Sequence, residues 1–213
     1  MKSADLAHIG WAVLTAAIVF WMGGQVLSSA SWIPIGDESA HLGRLFELAE
    51  ELQRSESWME RVARTFIASD AYPNTVYAYT LMFFDDDLSI TRARLALVSL
   101  TALHAAIGVT AGVRAWGRPG AIAYVALACF APMLLAYHQT YLLDVALASG
   151  VGATAVLADA SDGFQRRRAS ILFIFAAAIT LLIKWTALLW LAPTTFWMCW
   201  ASASLDCDGL KRR

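Results

Sequence analysis

Between Leu6 and Leu27 the chain runs for 22 residues without one Asp, Glu, Lys or Arg. A helix of that length, at about 1.5 Å per residue, crosses the ~30 Å hydrocarbon core of a bilayer. The competing reading is a signal peptide, with Ser28-Ser29-Ala30 offering small residues near the end of the run. Against it, a secretory apolar region spans only about 7–15 residues. The leading segment also has Lys2 offset by Asp5. The run reads as a retained first span.

Four more apolar runs follow, Leu95 to Val113, Ala121 to Tyr137, Leu142 to Ala158 and Ala169 to Ser204. The last has 36 residues and a single charge, Lys184. As one straight helix it would reach roughly 54 Å, nearly twice the core thickness, so it must break. Over all 213 residues only 15% are charged, against roughly 25% in soluble domains. This is the composition of a membrane protein. With a net charge of −1 and no long basic run, nothing argues for nucleic acid, and none is expected as a partner. Cys129 and Cys199 lie within apolar runs and Cys207 in the tail, without CxxC or Cys/His ligand spacing, which argues against disulfides and a thiolate metal site.

The region from Ser28 to Arg94 is mixed. Asp37 or Glu38 can cap a helix whose apolar stripe is Leu42, Leu45, Phe46, Ala49 and Leu52, with Arg44, Glu47, Glu50 and Glu51 opposite. A second stripe follows Trp58, on Met59, Val62, Ala63, Phe66 and Ile67. Both are too short and too charged to span, and are expected to lie along the interface with their apolar faces in the headgroup boundary. The 13 residues from Tyr72 to Phe84, ahead of Asp85-Asp86-Asp87, make about 20 Å of helix and cannot cross.

Topology follows from the short basic loops, which are held on the cytoplasmic side. They are Arg114/Arg118, Arg166-Arg167-Arg168 and Lys211-Arg212-Arg213. Placing all three inside makes the runs between them cross in pairs, with the 36-residue run folding back near Lys184 rather than at Pro193. The expectation is an all-α, polytopic integral membrane protein of about six transmembrane helices. It is a single module over 1–213, with a first span at 1–28, an external loop carrying interfacial helices at 29–94, five spans at 95–204 and a cytoplasmic tail at 205–213. Asp37, Glu38, His41, Arg92, Arg94, Asp144 and Lys184 then share the outer side, where ionisable residues at membrane depth are functional candidates. Each also has a plainer use. The acids suit helix first turns, the arginines suit interfacial anchoring, and His41 suits a helix surface.

Several stretches carry a resemblance: "GDESAH" after the first run, "SDAYPNTVYAYTLMFF", the segment from "ITRARLALVSL" through "YLLDVALASG", and "LLIKWTALLWLAP". In this order they resemble the glycosyltransferase C superfamily, the membrane enzymes similar to protein O-mannosyltransferases and lipid A aminoarabinose transferases. The family's paired prolines are Pro73-Asn74 here. Members continue for further spans, so the resemblance covers the N-terminal module. It implies transfer of a sugar from a polyprenyl-phosphate donor to an acceptor hydroxyl on the extracytoplasmic side of a bacterial inner or plasma membrane.

By that resemblance Asp37 is the general base, Glu38 its neighbour in the catalytic pair, and Asp144 the second acidic position. A positioned carboxylate that takes the proton of a sugar hydroxyl is worth about 10²–10⁴-fold. Arg92, Arg94 and Lys184 are the cations available to a leaving lipid phosphate, and His41 is placed to orient a carboxylate or touch substrate. Asp37 and Asp144 are compatible with a divalent ion such as Mg or Mn, without spacing that dictates one. Two alternatives stand beside the enzyme. One is a non-catalytic or partner-dependent module that a second chain completes; the other is a small transporter or lipid-binding membrane protein.

Overall fold

A computed structural model describes residues 3–29, 36–53, 57, 60, 74–84, 89–129, 143–196 and 199–200. All regular structure among them is helical, and Ile9–Ser28, Ile90–Arg114 and Leu143–Ser161 are long and apolar enough to cross a membrane. The chain is an all-α membrane protein. In order the helices are α1 (Ser3–Ser29), α2 (Asp37–Gln53), α3 (Asn74–Leu81), α4 (Ile90–Cys129), α5 (Leu143–Ser161), α6 (Arg167–Ile183) and α7 (188–196). The stripe from Met59 to Ile67, the three aspartates at 85–87 and the basic cluster at 211–213 lie outside the described residues.

Lipid offers no hydrophobic drive to bring spans together, so small residues let helix backbones approach. α1 packs antiparallel to the start of α4. Gly23 lies against Val98, Val19 against Ala102 and Ala105, and Ala12 against Val109.

α4 is two helical arms. Gly117 breaks it at φ 71° and ψ −161°, a conformation only glycine adopts at no steric cost, and Pro119 follows. The second arm folds back along the first. A Cβ added at Gly112 would lie 2.8 Å from the Ala121 Cα, and Tyr124 hydrogen-bonds His104 at 2.8 Å. The reversal thus falls between Arg114 and Arg118, in the basic loop.

α5 runs alongside the first arm in the same direction. Ser149 Oγ donates to the Leu100 carbonyl at 3.1 Å near one end, and Arg114 pairs with Asp159 at 2.5 Å near the other. α6 returns antiparallel to α5, with Gly150 against Thr180 and Ala158 against Phe173. It stops at Lys184, whose backbone is extended (φ −158°, ψ 126°). A 3₁₀ turn at Trp185–Ala187 and the α7 helix follow, and Pro193 sits within α7 instead of at the break.

The largest buried cluster lies at the end of the bundle where α1 finishes and α4 begins. It joins Leu42, Leu45 and Leu48 of α2, Val76 and Tyr77 of α3, Ala93 and Leu97 of α4, Leu143 and Ala146 of α5, and Ile183 of α6. The expectation that the apolar face of α2 rests in the headgroup boundary is corrected here: that face is covered by protein. The reason is that α2 lies across the ends of three other helices, and burying each leucine is worth roughly 1.5–3 kcal/mol. α3, also too short to span, closes the same core through Val76, Tyr77 and Thr80.

Candidate functional site

α2 begins at Gly36, which holds φ +57°. Its carbonyl accepts the Ala40 N–H at 3.3 Å, the first bond of the helix. The cap is therefore Gly36, not Asp37 or Glu38 as the sequence suggests, because the chain enters α2 through a left-handed residue. Asp37 and Glu38 form the acidic first turn, where the helix dipole favours a carboxylate.

The two acids diverge from there. Asp37 is exposed, whereas Glu38 is 4% exposed and faces α4. Arg94 Nε donates to Glu38 Oε1 at 2.8 Å and Nη2 to Oε2 at 2.9 Å, a bidentate pair that pins α2 to α4. Ser89 caps α4, its carbonyl accepting the Ala93 N–H at 3.1 Å. Arg92 and Arg94 consequently belong to the first turns of α4 rather than to the external loop that the sequence places there. Arg92 is half-buried and about 200° round the helix from Arg94, so the two do not share a face.

His41 stands one turn beyond Asp37 on α2. Its Nδ1 lies 2.9 Å from the Tyr77 hydroxyl of α3, and the two rings meet edge to face. Lys184, at the break after α6, donates to Asp144 Oδ1 of the α5 first turn at 3.1 Å.

These groups act on one another. Burial lowers the proton affinity of His41, Asp37 raises it, Lys184 lowers it and Asp144 raises it, with a net shift below 6.5. Burial likewise pushes the Tyr77 phenol up to about 12, against a small opposing effect of Arg44. At neutral pH an uncharged imidazole therefore meets a protonated phenol, and the tautomer decides whether the hydroxyl donates to Nδ1 or Nδ1–H donates to the hydroxyl oxygen.

Asp37, His41, Asp144 and Lys184 thus converge from α2, α5 and the end of α6. Glu38 and Arg94 stand beside them, joined by their bidentate pair, and Arg92 is on a different face of α4. Tyr77 is the residue that sequence reasoning does not single out. Its only signal is membership of the aromatic stretch "VYAYT", since nothing local links it to a histidine 36 positions earlier.

Among the described residues no three His, Cys, Asp or Glu side chains form a group that could hold a metal ion. Asp144, one of the two carboxylates considered for Mg or Mn, already has the Lys184 ammonium at its oxygen, where a second cation would be repelled. No step is assigned to a metal.

Comparison with protein-family models, with curated proteins and with solved structures gives no match.

Proposed function

We propose that this chain is the N-terminal module of a membrane glycosyltransferase that moves a sugar from a polyprenyl-phosphate donor onto an acceptor hydroxyl. One observation carries the reading. An exposed carboxylate and a neutral imidazole on α2, and a lysine at the end of α6 that is ion-paired to Asp144 of α5, lie within electrostatic reach of one another at one end of the bundle. The ordered motifs that resemble the glycosyltransferase C superfamily support it.

The opposite end of the bundle carries Arg114, Arg118 and the run Arg166-Arg167-Arg168. Basic loops stay cytoplasmic, which directs Asp37 and Lys184 to the extracytoplasmic face. In the proposed topology α1, the first arm of α4, α5 and α6 cross, together with the apolar run from Ala121 to Tyr137, which the second arm of α4 begins, and a sixth span at the C-terminal end; α2 and α3 lie over their outer ends. α6, at 17 residues, is at the short limit for a crossing.

In the reaction the acceptor hydroxyl oxygen attacks the anomeric carbon as Asp37 takes its proton. The bond from that carbon to the phosphate oxygen breaks, and the lipid phosphate leaves carrying the electron pair. Attack opposite the leaving group inverts the anomeric centre. Lys184 is the cation set to meet the growing phosphate charge, and its salt bridge to Asp144 aims it. Arg94 takes a different part from the phosphate contact that the sequence suggests: with both Glu38 oxygens in its fork, the pair positions Asp37 by holding α2 in place. His41, anchored by Tyr77, faces the acceptor beside Asp37.

The test is Asp37→Asn in membranes supplied with labelled polyprenyl-phosphate sugars, with and without a co-expressed chain that brings further spans. Transfer is expected to fall by about 10²-fold or more while insertion is unchanged. Undiminished transfer by Asp37→Asn removes Asp37 as base, and solute flux without any glycosyl product rejects the enzyme.

A further inference from the structure

At the end of the bundle away from the site, an open cavity of about 400 Å³ lies between α1 and the two arms of α4. That is within the roughly 300–1,000 Å³ of small-molecule pockets. Its walls are apolar, formed chiefly by Trp11, Val109, Val113, Ala121, Ile122 and Val125. Thr15 also lines it, but its hydroxyl donates to the Trp11 carbonyl at 2.9 Å. Arg118 is the one charged group among the described lining residues.

Several observations define the occupant. Trp11, on the cavity wall, is 57% exposed, and Trp116, two residues before Arg118 at the turn, is 75% exposed, as aromatic residues are at a membrane interface. Arg118 follows directly on the turn at Gly117, so it stands at headgroup depth while the apolar walls run along the arms. The arms cannot close further to fill the space, because their backbones are already in contact at Gly112 and Gly120. The shape is an apolar channel under a single guanidinium.

A guanidinium fork matches a phosphate, and no carboxylate lines the cavity among the described residues to receive the ammonium of a zwitterionic headgroup. Arg114, at the end of the first arm where the turn to Arg118 begins, stands 20 residues beyond Arg94, about 30 Å of helix. A lipid phosphate here is in the opposite leaflet from one at Lys184. We infer that this cavity is a binding groove for an anionic phospholipid of the leaflet opposite the site, with an acyl chain between α1 and α4 and its phosphate on Arg118.

The experiment places the purified full chain in nanodiscs of phosphatidylglycerol and phosphatidylcholine with identical acyl chains, and native mass spectrometry reads the lipids that stay bound. The wild type is expected to enrich phosphatidylglycerol about fivefold, the effect of one cation at a membrane surface. Arg118→Gln brings the ratio close to one, and Arg118→Lys restores part of it. Ile122→Trp, which narrows the groove from an exposed position, lowers retention of both lipids. Equal retention by the wild type overturns the proposal, as does an unchanged preference in Arg118→Gln. Displacement of phosphatidylglycerol by a polyprenyl phosphate at equal mole fraction overturns it too. None of these readouts depends on sugar transfer, so the groove and the proposed reaction stand or fall separately.

Discussion

Cutting the Glu38–Arg94 pair on one side leaves a guanidinium buried without its carboxylate. Arg94 and Glu38 are each 4% exposed, and two bonds of 2.8 and 2.9 Å join them. Removing one partner of such a pair costs roughly 3–5 kcal/mol, whereas exchanging both for apolar groups of similar volume is often neutral. Glu38→Ala should therefore loosen α2 sharply, and Glu38→Leu with Arg94→Met should recover most of the loss. The three leucines below the pair, Leu42, Leu45 and Leu48, still hold α2 through roughly 1.5–3 kcal/mol each, so the helix undocks more often without leaving for good. Backbone hydrogen exchange in detergent or nanodiscs reads this directly, because α2 opens as a local unit. A cost of 3–5 kcal/mol is about two to nearly four orders of magnitude in the opening equilibrium. The double variant should exchange within about tenfold of the wild type. If Glu38→Ala changes α2 protection by less than threefold, the pair behaves as a solvated surface contact. The positioning role given to it would then be wrong.

Lys184→Met should cut transfer strongly yet change stability by less than ~1 kcal/mol, since its bridge to Asp144 is partly exposed; kinetics and denaturation on the same preparation separate the two. Burial lowers the folded His41 pKa below 6.5, so the unfolded chain binds its proton more readily. The stability tied to neutral His41 is complete above pH 6.5 and is lost as pH falls toward the lowered value; His41→Gln should flatten that slope in denaturation between pH 5 and 7. Gly108→Leu drives a side chain into the Tyr124 ring, and should destabilise the α4 hairpin by about 1–3 kcal/mol or more in thermal unfolding. Asp159→Asn removes only an exposed partner of Arg114 and should leave unfolding within ~1 kcal/mol of the wild type.

Particular residues show how far local pattern reached. The uncharged run from Leu6, the 3- and 4-residue spacing of Leu42, Leu45 and Ala49, and the excess length of the final run are properties of one segment at a time. Each produced the helix or the break that the chemistry of that segment demands. Lys184 is such a case, a lone charge in an apolar stretch too long to remain straight, and the helix ends there. The capping of α2 misled because Asp and Gly both start helices, and only the backbone shows that residue 36 turns left-handed.

The sequence by itself determined that this is a helical membrane protein and which polar residues stand at the ends of its apolar runs. Bilayer thickness and helix rise are periodic, local constraints that any single segment must meet. Tertiary structure alone decided the partners. Glu38 and Asp37 are adjacent in the chain, yet one turns under α2 to Arg94 and the other stays at the surface. Tyr77, 36 residues from His41, becomes its hydrogen-bond partner. Such pairings depend on how α2 and α3 roll onto the ends of α4, α5 and α6, and that is set by the fit of buried leucines and alanines from five helices at once.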